Sequence, residues 1–395
     1  MGLAGCLTPG RLDVTAQAVE RFWSPDGDAV ACLSIRSGFD LLLSVCAFPA
    51  GSEIVFSALT ISDMPRIVEH HGLVPVPVDI DRVTTSPLLD ELREAIGERT
   101  KGVVITHLYG ARLDIELIVD LCREKGVLLI EDCAQAFGGR GYSGHPASDV
   151  TMFSFGPIKN ATALGGGLLC VRDPALRDGM RARQQDYPIF PTSAYAVRLL
   201  KYALLHFISG RLLYGALSRF VRALGLDHDR IIHRLTRGFS GPSFFDRIRR
   251  RPCTALLRLL ARRLRQDHSR LDQRTRDGER LVELLPDEVV SPAGRVRPHY
   301  YWVFPILVPD PPSVISALRA AGFDATAGRS FDVVPTAGGD TAQASEMLAH
   351  AVFLPFYPEL PPREWTRMAA IVTRSVGEAV SAPVAVPLGE SSFQD

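Results

Sequence analysis

Between about residues 30 and 185 the chain alternates short, wholly apolar runs with stretches whose apolar residues recur at helical spacing. Ile54-Val55-Phe56, Val76-Pro77-Val78, Val103-Val104-Ile105, Val127-Leu128-Leu129-Ile130 and Met152-Phe153-Ser154-Phe155 are short and nearly continuous, which predicts strands buried on both faces. Between them, Leu88 to Ile96 and Ile115 to Cys122 have the spacing of helices. Gly126 stands where the second should stop, because glycine adopts the left-handed cap at no steric cost. Strand and helix in alternation predict an α/β layer structure with a largely parallel sheet, and ligands beyond the carboxyl ends of its strands.

The rhythm breaks after residue 187. No acidic residue occurs between Asp186 and Asp227, while arginines accumulate through Arg270. Regular spacing then resumes as one long charged helix from about 254 to 283, a strand from Tyr300 to Val308, a helix from Ser313 to Ala321, a β-like stretch near Phe353 and a helix from Arg363 to Glu378. The expected division is an N-terminal arm (1–30), a large domain (31–250) with a helical insert at about 187–248, a small α+β C-terminal domain (251–380) and a flexible tail (381–395). Within the insert, Leu212, Leu213, Ala216, Leu217, Phe220, Val221 and Leu224 share one helical side, and Arg211, Ser218, Arg219 and Arg222 the other. A cationic amphipathic segment over 195–224 either packs on the protein itself or meets a membrane surface or a lipid-like substrate.

Composition narrows the class. Lys and Arg together number 44, as do Asp and Glu, so the formal net charge is zero and overall electrostatics gives no reason to expect nucleic acid. The seven cysteines are scattered, odd in number and without a CxxC pair, which predicts a reducing compartment and no metal site. No uncharged apolar run reaches 18 residues, so no span is expected and the protein is expected to be cytoplasmic, with peripheral membrane contact confined to 195–224.

The chemistry concentrates between Val127 and Leu169. One buried strand ends in Ile130-Glu131-Asp132-Cys133-Ala134-Gln135-Ala136. A second leads into Phe153-Ser154-Phe155-Gly156-Pro157-Ile158-Lys159-Asn160, followed by Gly165-Gly166-Gly167. Two strand ends thus deliver Asp132 and Lys159 to one sheet edge. On those residues alone, an ordinary ion pair and a reactive pair are both open. A pyridoxal-phosphate (PLP) enzyme needs a lysine amine to carry the cofactor, a carboxylate beside the pyridine nitrogen, and hydroxyls with backbone N–H groups for the phosphate. Asp132, Ser154, Lys159 and the glycine-rich turn supply those parts in one stretch.

These motifs resemble the sugar-aminotransferase family typified by DegT, DnrJ and StrS, within the fold-type I PLP enzymes. Glu131 to Ala136 is similar to the family's EDAAQA, and Phe153 to Asn160 to its FSFxPxKN. Weaker likenesses run through Ser52-Glu53-Ile54-Val55, Val76 to Asp81, Thr100 to Val104, His107-Leu108-Tyr109-Gly110 and Phe353 to Pro358. The resemblance spans roughly 33–186 and 250–378. It implies a fold-type I architecture, a large domain with a mostly parallel central sheet of seven strands plus the small α+β domain, with the site at a homodimer interface.

Carried over residue by residue, the resemblance makes Lys159 the Schiff-base lysine and Asp132 the partner of the pyridinium nitrogen. Gln135 lies beside the cofactor's O3′ edge and Ser154 binds its phosphate. Ser37-Gly38 match a turn whose amides meet the same phosphate, with Phe39 where the family has threonine. Ile61 stands where an aromatic stacks on the ring, Gly165 replaces a common glutamate, and Arg249, first of the run Arg249-Arg250-Arg251, aligns loosely with a segment that reaches a neighbouring subunit's phosphate. The implied reaction moves an amino group from an amino acid, with glutamate the expected donor, to a keto group of a sugar-like acceptor. The alternatives are a PLP-dependent dehydratase of the same fold, against which Lys159 speaks, and a non-catalytic PLP-binding or membrane-associated accessory protein. His107 and Tyr109 are expected to be structural or to line the pocket.

Overall fold

Each of the five apolar runs lies in, or at the end of, a strand of one seven-stranded sheet. The computed structural model describes residues 2–7, 10–139, 141–208, 243–328, 331–335 and 341–381. The strands are β1 (Ala29–Cys32), β2 (Glu53–Ser57), β4 (Val74–Val78), β5 (Thr100–Thr106), β6 (Leu128–Asp132), β7 (Val150–Ser154) and β8 (Gly167–Val171), with a two-residue β3 (Leu59–Thr60) outside the sheet. Their spatial order is β1-β8-β7-β6-β5-β2-β4. The five from β4 to β7 pair in parallel, and β8 runs antiparallel to both β7 and β1.

The alternation of side chains across the sheet divides its two faces. Ile130 and Met152 join Phe39 and Leu42 of the helix Ile35–Cys46 on one side. Leu129 joins Val119 and Cys122 of the helix Glu116–Lys125 on the other, and Phe153 meets Trp23 and Leu256 there. With both faces covered, the strands are apolar at every position, which is why they read as continuous runs. The helix Glu116–Lys125 ends at Gly126 with φ +64, as its position in the sequence predicts.

The first 30 residues are more than an arm. The helix Leu12–Trp23 packs on β1 and on the helix Thr254–Leu264. Glu20 Oε1 accepts the Ala31 N–H at 2.9 Å, and the Trp23 ring sits edge-on to Phe153 at 4.9 Å.

Two expectations for the second half change. The long helix is two, Thr254–Leu264 and Ser269–Leu284. Asp267 accepts both the N–H and the hydroxyl of Ser269, a local bond that competes with helix continuation. Of the strand expected over Tyr300 to Val308, only β9 (Phe304–Leu307) forms, antiparallel to β11 (Ala351–Leu354). The residues before it turn toward the large domain: Tyr300 N donates to Gly110 O at 2.9 Å and Tyr301 has φ +43. At Gly110, φ +105, a Cβ would stand 2.5 Å from Trp302 N, so only glycine admits this close approach.

Of the insert, the helix Thr192–Ile208 is described. Tyr195 anchors it, fully buried with its hydroxyl donating to Ala163 O at 2.8 Å. Val197, Leu200, Leu204 and Phe207 are each more than half exposed. The amphipathic pattern from Arg211 to Leu224 lies outside the described residues, and among those described no helix is long and apolar enough to cross a membrane.

Candidate functional site

Parallel register aligns the ends of three strands. Thr106, last in β5, pairs with Asp132, last in β6, which pairs with Met152 of β7. Ser154 ends β7, and a turn closed by Lys159 N donating to Gly156 O at 3.1 Å returns Lys159 to the same edge. These ends open on a cavity of about 410 Å³. Asp132, Lys159, Gln135, Ser154 and Ile61 all line it, so the structure brings together residues up to 98 positions apart in the sequence. Ile61 enters from the segment after β3, half-buried against the core beneath the helix Ile35–Cys46.

The electrostatics follows from burial. Asp132 is nearly inaccessible. Removal from water raises its pKa, against the opposing pull of the Ala134 N–H on Oδ1 (2.9 Å) and of the Lys159 and Arg36 charges. Burial also lowers Lys159 to about 7; the Asp132 charge works against that shift and Arg36 works with it. A lysine so depressed offers a large fraction of free amine near neutral pH. The indole of Trp302 covers it, with Nζ 3.9 Å from the ring centroid and Nε1 donating to Ile158 O at 2.7 Å.

Several expected site residues are placed elsewhere, each for a visible reason. Ser37 sits one step too deep in its helix: its N–H and hydroxyl are both engaged by the N-cap Ser34 Oγ (3.2 and 2.9 Å). Gly38 serves close packing, since a Cβ there would stand 2.3 Å from a Leu169 methyl on β8. The Phe39 side chain is fully buried and meets Phe56 edge-on, away from the cavity. What that first turn presents to the cavity is Ser34, Ile35 and Arg36. The guanidinium of Arg249, the residue aligned with a segment that reaches a neighbouring subunit, forks onto buried Asp40 of its own chain with two bonds of 2.9 Å.

Sequence reasoning missed Arg36, Thr60, Thr106, Arg198, Lys201, Tyr202 and Trp302, all of which line the cavity. Arg36 is bonded to Asp63. Thr106 could have been found from its place at the end of β5, one strand over from Asp132. Nothing local marks Arg198 or Trp302, which arrive from the insert and from the small domain's turn.

The donor set fits PLP. Thr106 Oγ1 is a buried hydroxyl with no partner among the described residues, and Asp132 accepts the Ala134 N–H at 2.9 Å. The Ser34 cap and the helix N-terminus behind it suit a phosphate. No metal is needed to explain the one close cluster of metal-type ligands among the described residues, His107, Glu131 and Cys133. Glu131 accepts from His107 Nε2 (2.8 Å) and Cys133 Sγ (3.4 Å), and His107 Nδ1 accepts the Leu113 N–H at 3.0 Å. His107 is therefore structural. Tyr109 is fully buried and its N–H donates to Gln135 Oε1 at 2.9 Å, which fixes the Gln135 amide at the cavity wall.

Residues 16–186 match the sequence model of the DegT/DnrJ/EryC1/StrS aminotransferase family, so the resemblance read from the motifs is a family match over that stretch. The chain is 38% identical over 159 residues to the erythromycin biosynthesis sensory transduction protein EryC1 of Saccharopolyspora erythraea, covering 38% of this chain and 43% of that one. It is 32% identical over 141 residues to GDP-perosamine synthase of Escherichia coli O157:H7, covering 35% and 38%. The matched stretch thus spans about two fifths of these relatives' length. In three dimensions the likeness extends further. The aminotransferase TlmJ from Streptoalloteichus hindustanus superposes with a TM-score of 0.66 at 19% identity, over 95% of this chain and 98% of its own. A sugar aminotransferase from Streptococcus pneumoniae gives 0.69 at 17%, over 95% and 96%. The fold, α/β with a largely parallel central sheet, is that of these solved structures.

Proposed function

We propose that the protein is a PLP-dependent aminotransferase that moves an amino group from an amino acid, glutamate being the expected donor, to a keto group on a sugar-like acceptor. The observation that carries this reading is the pair at the strand ends: a buried carboxylate, Asp132, beside a lysine whose burial brings it to about 7. When bound, PLP supplies a conjugated ring able to hold the electron pair left as a proton departs from carbon. Every other requirement falls to the chain. Lys159 Nζ supplies the amine that would carry the cofactor and, once displaced, would move the proton from the donor's amine-bearing carbon to the cofactor and, with the acceptor bound, from the cofactor to the carbon that was the ketone. Asp132 holds a proton on the ring nitrogen by its negative charge. Ser154 and the cap at Ser34–Arg36 orient the phosphate, while Ile61 and Trp302 flank the reacting region and exclude water. Orientation of this kind lowers the barrier before any bond changes.

The family match at 16–186 and the relatives' sugar-directed names support a sugar-like acceptor. A homodimer, peripheral membrane contact and a cytoplasmic setting belong to the same proposal. For the membrane contact, the exposed Val197, Leu200, Leu204 and Phe207 are the supporting observation.

The test is optical and genetic. Wild-type protein mixed with PLP should turn yellow, bleach with glutamate and recover colour with a keto acid. Lys159→Ala should keep its fold by circular dichroism and lose the colour shift and turnover, because no other amine replaces the covalent link. Turnover retained in that variant would sink the mechanism. Yellow wild type that bleaches with no amino acid would instead favour a PLP-binding accessory role.

A further inference from the structure

The helix Thr192–Ile208 turns Ala194, Val197, Arg198, Lys201 and Tyr202 to the outer wall of the cavity. Arg198 is half-buried there. Its Nη1 donates to Leu164 O at 3.0 Å, and its guanidinium lies 5.0 Å from the Phe190 ring centroid. No carboxylate among the described residues contacts it, and burial pulls its pKa below the usual arginine value. A half-buried cation that meets, among the described residues, a carbonyl and a ring face rather than a carboxylate is incompletely compensated by them.

Gly165 explains why this guanidinium reaches the cavity. Its φ of +155 disfavours any side chain, and a Cβ would stand 3.1 Å from Arg198 Nη1. Position 165 therefore holds neither a carboxylate to neutralise Arg198 nor a side chain to cover it. The charge balance of the cavity agrees. Its described lining has four basic side chains, Arg36, Lys159, Arg198 and Lys201, against two carboxylates, Asp63 and Asp132. Arg36 bonds Asp63 and Lys159 feels the charge of Asp132, and among the described residues neither carboxylate of the lining is bonded to Arg198. Arg198 and Lys201, three apart, share a helix face.

We infer that Arg198, with Lys201 one turn on, seats an anionic oxygen group of the substrate at the outer wall of the cavity, either the carboxylate of the amino donor or a phosphate of the acceptor. This rests on the transamination reading for the identity of those substrates. The guanidinium's planar fork suits two anionic oxygens at once. The seat belongs to substrate rather than cofactor because it lies at the rim. Val197 beside it is 66% exposed, whereas Asp132 at the floor is 4% exposed.

The experiment uses the PLP-loaded protein and two probes, 2-oxoglutarate and uridine diphosphate, whose affinities are measured by calorimetry for wild type, Arg198→Gln and Arg198→Lys. Circular dichroism and PLP affinity are followed alongside. We expect Arg198→Gln to weaken one probe about tenfold or more, with Arg198→Lys between the two, because the charge remains while the fork is lost. A loss confined to 2-oxoglutarate identifies the donor carboxylate, and a loss confined to uridine diphosphate identifies the acceptor phosphate; either supports the seat. Unchanged affinity for both probes overturns it. So does a wild type that binds neither, or a loss of PLP affinity with probe affinity intact. Should the wild type fail to pass nitrogen from any amino acid, the transamination reading falls while the effect of Arg198→Gln on probe binding is still read.

Discussion

Glu131 and Asp132 are neighbours on one strand, both buried, and they point to opposite faces of the sheet. For both, burial raises the pKa, yet the outcomes are opposite. Glu131 is held at about 2 because hydrogen bonds from His107 Nε2, Tyr142 and the His145 N–H outweigh the desolvation. The Ser148 hydroxyl adds a further bond at 3.0 Å. Asp132 has one backbone donor, and burial prevails. A carboxylate whose lone pairs are saturated by its own chain fastens strands together. A carboxylate left short of donors retains capacity for a bound group. The saturated acid is structural and the unsaturated one is the candidate for chemistry.

Four measurements would break or sharpen that contrast. The largest effect should come from Asp132→Asn. Removing the charge should cut kcat by about 10²–10³, the usual loss when a preorganised electrostatic group is removed, with thermal stability little changed. A variant that is nearly as active as wild type would show the wrong acid has been given the role. Glu131→Gln should do the reverse. Its shift from an ordinary 4.5 to about 2 corresponds to about 3 kcal/mol of folding stability. Because the folded value is the lower one, that stability is present above about pH 4.5 and is lost as pH falls toward about 2. Denaturant melts of wild type and variant at pH 7 and pH 3 should therefore differ more at pH 7. An equal gap at both pH values would remove the electrostatic account.

Phe39→Thr probes the turn before the helix. It installs the hydroxyl that the family resemblance implies at this position, in place of a ring packed on Phe56. Emptying that space should cost about 2–3 kcal/mol without tightening PLP binding. Tighter binding would return position 39 to the phosphate site. The smallest effect concerns Lys159. Its rate of reaction with PLP should climb about tenfold per pH unit below 7 and level off above about 7, since only the free amine attacks. A rate still rising at pH 9 would show an unperturbed lysine.

The strands and the floor of the site were legible because a parallel sheet writes both into contiguous sequence. Burial on two faces makes strands such as Val103-Val104-Ile105 uniformly apolar, and strand ends carry Asp132 and Ser154 to a common edge. At the turn matched by Ser37-Gly38, the residues that line the cavity lie one helical step earlier, at Ser34 to Arg36. Sequence alone does not show that Ser34, rather than Ser37, caps the helix, and that choice rotates which residues face the cavity. Trp302 falls inside the strand expected over Tyr300 to Val308, because no local signal announces that Tyr301 adopts a positive φ to meet Gly110. Arg198 was hidden for a different reason: its partners, Leu164 O and Phe190, are decided by how the insert helix docks. The split near His268 depends on a three-residue Asp267–Ser269 bond, which the apolar spacing on either side conceals.

Trp302 gives the protein a built-in lamp at its own site. The chain has three tryptophans, and Trp23 and Trp365 are buried at 7% and 3% exposure in packed cores. Only the third stands over an ionisable amine, 3.9 Å from its nitrogen. Excitation at the red edge of the absorption band favours the more solvated indole, so its emission should dim or shift whenever the charge beneath it changes or a group slides between lysine and ring. Occupancy of the cavity could then be followed by light in unlabelled protein, with the two buried indoles serving as a constant background.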